Sequence, residues 1–458
     1  MIPSFGEAVR FWFRLGWLSF GGPAGQISLM HKTLVEEKKW ISEDKFSHAL
    51  NYCMLLPGPE AQQLATYLGW ILHGTKGGIS AGLLFIFPSI LIFICISIFY
   101  YTYGSVTYAI SFLNGIKPAI LAIIVLTFGK MVRKNLQSNG QKLCFVLTAA
   151  AILFFGVSYP VLLLFAGVLG AAACYFEKSK SNVSQDARSG EITFKQSNLS
   201  DAANVSSEGI DLQTVFDDKR IYTSEILKNL SRAGSVGLIL WALPFLGILF
   251  FLKTEFAFWK ELILFFTKTA FVTFGGAYAI LPTVADFATR QAGWIRTNEM
   301  IDGLAFGEST PGPLVMVLTF IGFLAGAHRF GTIGAGVFGL LLTAYYTFLP
   351  SFLLILGGAA LVEKTKESEF FRIVLSYVTA CVCGVIFYLA VFFANSILFK
   401  TGTTWGSWFQ NPLLQTNWVS LFWTMLGVFF LIRKKEYSIF WIFFSGAVFL
   451  GAETFLHL

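Results

Sequence analysis

Residues 19–25 read SFGGPAG and residues 273–279 read TFGGAYA; residues 56–63 read LPGPEAQQ and residues 309–316 read STPGPLVM. Each stretch interrupts an apolar run with glycine or proline, and the members of each pair stand at one offset. Ser19-Phe20-Gly21-Gly22 falls on Thr273-Phe274-Gly275-Gly276, and Pro57-Gly58-Pro59 on Pro311-Gly312-Pro313, both 254 residues on. Trp40-Ile41 falls on Trp294-Ile295, Gly77 on Gly331 and Gly82 on Gly336 at that same offset, and Arg14 lands on Lys268. Pro88-Ser89 matches Pro350-Ser351 after a small insertion. Residues as infrequent as Trp and Pro do not recur at a constant spacing by chance, so the chain carries one unit twice.

Outward from these stretches the sequence is apolar. Of 458 residues 55% are hydrophobic and 13% charged, against about 25% charged in soluble domains. A span needs about 20 apolar residues. Candidates lie at 8–30, 47–72, 77–101, 108–130, two short ones in 142–176 split at Ser158-Tyr159-Pro160, then 230–252, 258–284, 301–327, 331–360, 370–397, 413–432 and 437–456. The expectation is an all-α polytopic membrane protein of about thirteen transmembrane helices with two inverted-topology repeats. Residues 1–176 form the first unit, 177–228 a polar, largely disordered cytoplasmic linker, 229–256 a connecting helix and 257–458 the second unit. An even unit followed by one odd span turns the second unit over.

Charge orients the chain. The net charge is +7, but the basic residues recur between apolar runs instead of gathering on one arm, which argues for cytoplasmic loops and against nucleic acid. With the N-terminus cytoplasmic and the C-terminus outside, Lys130, Arg133, Lys134, Lys364, Lys366, Arg433, Lys434 and Lys435 fall inside, as do Arg290 and Arg296. The loop 31–45, with Lys32, Lys38, Lys39 and Lys45, falls outside and breaks the rule, unless the first segment does not cross fully.

Paired glycines permit unusual backbone angles and close helix approach. Pro-Gly-Pro interrupts a helix at membrane depth, which is tolerated where backbone lines a cavity or is buried in protein. Pro suits a first helical turn, so new half-helices are expected near Pro59 and Pro313, with free N–H groups and a positive dipole end that favour an anion. Charge inside a membrane is costly and marks paths or partners. Arg14, Lys117 and Lys268 could attract an anion or snorkel to the interface. Glu60 and Glu308 could take a proton or balance a base. Gln62, Gln63, Asn51, Ser309 and Thr310 could donate hydrogen bonds to oxyanion oxygens. The histidines are dispersed, the six cysteines lie in or beside apolar runs without a CxxC, and no GxxxxGK[ST] is present. No metal, cofactor or catalytic set is therefore expected, and no ATPase motor is visible.

FGGPAGQI (20–27), KKWISEDKF (38–46) and LLPGPEAQQLATYLGWILHGTKGGISAG (55–82), with FVTFGGAYAILP (271–282), GWIRTNEMIDGLAFGESTPGPLV (293–315) and GTIGAG (331–336), resemble the chromate ion transporter family in its long, two-domain form. The resemblance implies domains of opposite orientation in a prokaryotic plasma membrane. It also implies proton-motive-force-driven export of chromate, a sulfate-like dianion, with sulfate, another oxyanion or a passive channel as the alternatives. It places Arg14, Gly21, Gly22, Pro23, Gln26, Pro57, Gly58, Pro59, Glu60 and Gln63 on family motifs, and Pro311, Gly312 and Pro313 in the second domain. Gly275, Gly276, Lys117, Lys268, Glu308 and Thr310 complete the candidate substrate site. Ala277 stands where the first unit has Pro23, and Leu314 where it has Glu60, so the halves are not expected to be equivalent. The expected partners are the oxyanion, membrane lipid, protons and a second copy of the chain.

Overall fold

The structure is a computed structural model that describes residues 3–20, 22–189, 212–274, 276–365, 369–399, 415–433 and 437–456. The described residues are helical almost throughout. In the first unit run α1 (Phe5–Leu18), α2 (Gly22–His31), α3 (Glu43–Leu55), α4 (Glu60–Tyr103), α5 (Thr107–Asn135), α6 (Asn139–Phe155) and α7 (Tyr159–Ser189). After α8 (Leu212–Phe251) come α9 (Phe256–Val272), α10 (Ala277–Asp286), α11 (Thr297–Ser309), α12 (Val317–Phe330), α13 (Ile333–Thr365), α14 (Glu369–Leu398), α15 (Trp418–Arg433) and α16 (Ser438–Leu456).

The first two segments of each unit turn back where single crossings were expected. From α1 the chain breaks at Ser19–Phe20, and α2 with the widened helical turn Lys32–Glu37 returns it to its starting end. There Lys38 Nζ lies 3.7 Å from Glu7 Oε1, and the rings of Phe11 and Trp40 meet edge-on at 5.4 Å. His31 Nε2 holds the start of α3 through Glu43 Oε2 at 2.7 Å. α3 runs in, the chain breaks at Pro57–Pro59, and the first part of α4 comes back until His73 meets the Pro3 carbonyl at 2.9 Å. At His73–Gly74 the dihedrals leave the helical region, Gly74 at φ 61°, and residues 75–103 then depart in the long apolar part of α4. The second unit repeats this: Phe265 meets Trp294 at 5.7 Å, the Phe11–Trp40 pair moved by 254 residues. α12 ends at Gly331, φ 68°, and α13 returns along it with Gly322 against the Gly339 backbone.

The expected thirteen crossings are corrected accordingly. Among the described residues five helices are long and apolar enough to cross a membrane: Glu60–Tyr103, Thr107–Asn135, Ala233–Phe251, Ile333–Gly358 and Arg372–Leu398. Shorter apolar helices are Asn139–Phe155, Tyr159–Tyr175, Leu314–Phe330, Trp418–Arg433 and Ser438–Ala452. Hydropathy cannot distinguish a run that crosses from one that folds into a hairpin at a Gly or Pro break, and the stretches 8–30, 47–72, 258–284 and 301–327 are hairpins. The loop 31–45 also changes place, ending beside Glu7 at the N-terminal end. The polar stretch expected to be disordered is helical at both margins, since α7 reaches Ser189 and α8 starts at Leu212; residues 190–211 lie outside the described residues.

The units are interlocked. α6 and α7 pack on α14 of the second unit, α15 and α16 pack on α5 of the first, and α5 packs on α14. α8 lies on α13, where Tyr346 Oη donates to the Trp241 carbonyl at 2.9 Å. Large apolar side chains face outward on this bundle, Phe154, Phe155 and Phe251 each at least 80% exposed. A soluble monomer does not leave patches of that extent to water, whereas lipid accepts them, and the chain is an integral membrane protein.

Candidate functional site

The hairpin tips meet tip to tip. The Gly58 N–H donates to the Thr273 carbonyl at 2.7 Å, and the Gly312 N–H to the Ser19 carbonyl at 2.8 Å. These bonds exchange under the 254-residue offset, so each unit's Pro-Gly-Pro caps the other unit's Gly-Gly break. Gly58 has φ 135° and Gly312 φ 103°, a region that side chains with a Cβ rarely enter. Contact is as restrictive as angle: a Cβ on Gly58 would strike Ser351 Oγ and the Gln63 amide, and one on Gly312 would strike Ser89 Oγ. Ser89 Oγ donates to the Pro311 carbonyl at 2.6 Å. Pro88-Ser89 and Pro350-Ser351, matched in sequence, therefore sit at matched places on the opposite unit's tip.

Four helix starts converge here. α2 starts at Gly22 (φ 69°), α10 after Gly276 (φ 90°), α4 after Pro59, and a short 3-10 turn leading into α12 after Pro313. First-turn N–H groups have no intrahelical acceptor and carry the positive end of the helix dipole. The amides that line this place belong to the first unit. Gln26 Nε2 donates to the Gly312 and Ser19 carbonyls, Gln63 Nε2 to the Pro57 carbonyl at 2.7 Å and Gln62 Nε2 to Thr66 Oγ1 at 3.0 Å. The Oε1 atoms of Gln26, Gln62 and Gln63 are buried without a protein donor, which makes them places for a water to donate. Glu60 opens α4, with Oε1 3.8 Å from where Gly276 would carry a Cβ, at the start of α10. Glu308 accepts a hydrogen bond from Tyr278 Oη, and Tyr159 Oη donates to the Phe274 carbonyl at 3.2 Å.

The structure thus brings together Gly22, Gln26, Pro57, Gly58, Pro59, Glu60, Gln63, Gly276, Pro311, Gly312 and Pro313, with Glu308 close by on α11. Pro23 lies in the first turn of α2. Thr310 closes α11 by donating to the Phe306 carbonyl at 2.7 Å. Gly21 and Gly275 lie outside the described residues. The basic candidates are elsewhere. Arg14 is exposed on α1. Lys268 is exposed on α9 and lines a separate cavity of about 560 Å³ with Asp286, Arg290 and Tyr159. Lys117 on α5 lies 3.7 Å from Asp302 Oδ1 of α11. Sequence reasoning passed over Ser89, Ser351, Tyr278 and Asp302. The serines carried a signal, their place in the repeat, which served there only to extend the alignment.

Half-helices that start inside an apolar bundle and meet at the junction of two repeats are the architecture of a membrane transporter built on discontinuous helices. This chain belongs to the chromate transporter family, whose model, described as "Chromate transporter", matches residues 6–171 and 260–451; the family is one of transport, not catalysis. It is 27% identical over 381 residues to the "Probable chromate transport protein" of Synechococcus elongatus, covering 83% of this chain and 82% of that one. It is 26% identical over 386 residues to the "Chromate transport protein" of Cupriavidus metallidurans, covering 83% and 80%. A 78-residue stretch is 44% identical to the "Uncharacterized transporter YwrB" of Bacillus subtilis, covering 17% of this chain and 40% of that one. No solved structure matches.

Proposed function

We propose that the protein is a secondary transporter of a small tetrahedral oxyanion, with chromate as substrate, working outward across a prokaryotic plasma membrane. The observation that carries this reading is the reciprocal tip-to-tip contact, which gathers four helix starts and their positive ends at one buried place. An oxyanion there would meet backbone N–H groups at Gly22, Ala24 and Gly25, at Glu60–Gln62 and at Ala277–Tyr278, while the broken helices offer it two ways out. Two relatives whose names state chromate transport, similar over four fifths of their length, favour chromate over other oxyanions.

The orientation goes with it. With the hairpins folded back, Lys38, Lys39 and Lys45 join the N-terminal face. Counting crossings from there puts the α5–α6 loop, with Arg133, Lys134 and Lys142, on that face too, and Arg290 and Arg296 on the other. The lysine-rich face is then cytoplasmic, the exception at 31–45 disappears, and the odd helix α8 leaves the second unit inverted. A dianion leaving through an inside-negative potential is driven by about 5 kcal/mol per 100 mV, twice the value for one charge. The electrical part of the proton motive force therefore suffices for export.

Reconstitution tests the reading. In proteoliposomes, labelled chromate should move saturably, faster with a potential positive on the destination side, and sulfate should compete. Absence of saturable flux of both anions would sink the oxyanion reading; linear flux without competition would make the protein a channel.

A further inference from the structure

A cavity of about 470 Å³ opens at the far end of the bundle from the N-terminus, between the end of α4, the start of α5, α11 and α12. It holds Lys117, and Lys117 is under-used. Its Nζ donates to Asn114 Oδ1 at 3.1 Å and stands 3.7 Å from Asp302 Oδ1, well beyond the 2.7–2.9 Å of a charge-assisted hydrogen bond. Yet both side chains are largely removed from solvent, 14% and 5% exposed. Asp302 is fixed from the other side, its Oδ2 accepting from Tyr100 Oη at 2.8 Å. A mostly buried ammonium with spare N–H groups beside an open cavity is short of a partner. The space takes a small anion with several waters, at about 30 Å³ per water. Along α11, Asp302 precedes Glu308 by six residues, about 9 Å of helix, so the cavity lies within two turns of the helix tips.

We infer that Lys117 and Asn114 form a second oxyanion site in this outer vestibule, and that the Asp302 carboxylate is its built-in competitor, which displaces the anion from Lys117. The inference rests on the oxyanion reading above and adds to it a point of release. Asp302 and the oxyanion need the same cation, so each lowers the other's hold on it. A proton on Asp302 removes the competitor, and the site then holds the anion more tightly. The symmetry-related place has no such device: at the corresponding positions stand His48 for Asp302, by the 254-residue offset, and Thr379 for Lys117, by the 262-residue offset of Pro88 to Pro350. One face of the transporter therefore carries a displacing carboxylate and the other does not, which makes the outer face the one of low affinity.

The ionisable groups facing Asp302 are Lys117 from α5, Tyr100 and Tyr101 from α4, Arg296 and Glu299 from α11 and His328 from α12. α14 and α16 also pack on α11 but place no ionisable group in this lining among the described residues. Glu299 is engaged by Arg296 at 2.7 Å and His328 at 3.7 Å, which leaves Asp302 as the carboxylate opposed to Lys117.

The test is equilibrium binding of labelled sulfate, which keeps its charge across the range, to the purified full-length protein from mildly acidic to neutral pH. Wild type should bind more tightly as pH falls. Asp302→Asn, which keeps a partner for Tyr100, should bind roughly tenfold more tightly at neutral pH and lose the pH dependence. Lys117→Gln should bind weakly, and the double variant no better than Lys117→Gln. His328→Gln should keep the wild-type slope. Unchanged or weaker binding by Asp302→Asn, or a gain that survives in the double variant, overturns the inference. If Asp302→Asn does not yield folded protein, a flat wild-type profile, or a slope lost in His328→Gln, overturns it instead. These outcomes are separate from the flux experiment: saturable chromate flux with no effect at Asp302 refutes only the vestibule site, while absence of flux refutes both.

Discussion

At the scale of single residues, Gly58 and Gly312 hold the centre of the molecule. Both have positive φ and both lack room for a Cβ, so angle and contact point the same way. Gly58→Ala and Gly312→Ala should each destabilise the protein by about 1–3 kcal/mol and abolish flux, because the collision is with the opposite unit's serine. Gly22→Ala is the control, since Gly22 has φ 69° but nothing within 4 Å of the added carbon; it should cost about 1 kcal/mol. Thermal unfolding in detergent reads the stabilities, and equal losses at all three glycines would deny the close packing of the tips. Gln26 gives a second prediction at this scale. Its amide N–H group serves the carbonyls of Ser19 and Gly312 from both units. Gln26→Leu leaves the buried Gly312 carbonyl without its Gln26 donor, at about 1–3 kcal/mol, while the Ser19 carbonyl keeps the Gly312 N–H. Gln26→Glu puts a negative charge where the substrate is proposed to sit, and should abolish chromate flux even if the protein remains folded.

At the scale of elements, the hairpins decide the topology. Lys39→Cys should react with an impermeant thiol reagent from the face on which residues 130–142 lie, and Ser105→Cys from the other. Labelling of both from one side would restore the first segment as a full crossing. Here the limits of the sequence are specific. The duplicated breaks announced half-helices, and α4 indeed starts right after Pro59. What the breaks did not announce was reversal of direction, because an apolar run of 23 to 27 residues satisfies hydropathy whether it crosses or folds in two. The contacts that reveal reversal, Lys38 with Glu7 and His73 with Pro3, join residues 31 and 70 positions apart and have no local signature. The one trace was the basic loop at 31–45, which broke the charge rule because its face was misassigned. The site followed the same pattern. The Gly-Gly and Pro-Gly-Pro residues were legible because both units repeat them, whereas Tyr278–Glu308 and Lys117–Asp302 lie where the units differ, and a repeat says nothing about such pairs.

At the scale of the whole molecule, interlocking matters more than duplication. If each unit folded on itself, the two would be separable domains joined by a polar connection. Instead α6 and α7 complete a bundle around α14, and α15 and α16 complete one around α5. Each tip, too, is capped by the other unit's backbone. Residues 1–189 expressed alone would leave the packing faces of α5 and the Gly58 N–H without their partners, and that product should be degraded or aggregate. Severing the connection after folding is a different matter. A protease site inserted between Ser189 and Leu212, cleaved in the purified protein, should leave two fragments that co-migrate in mild detergent and still carry chromate in proteoliposomes. Separation on size exclusion after cleavage would mean that the exchanged helices do not bind the units together. The same geometry ties the two repeats at their tips, since neither Gly58 nor Gly312 can shift without pulling on a carbonyl of the opposite repeat.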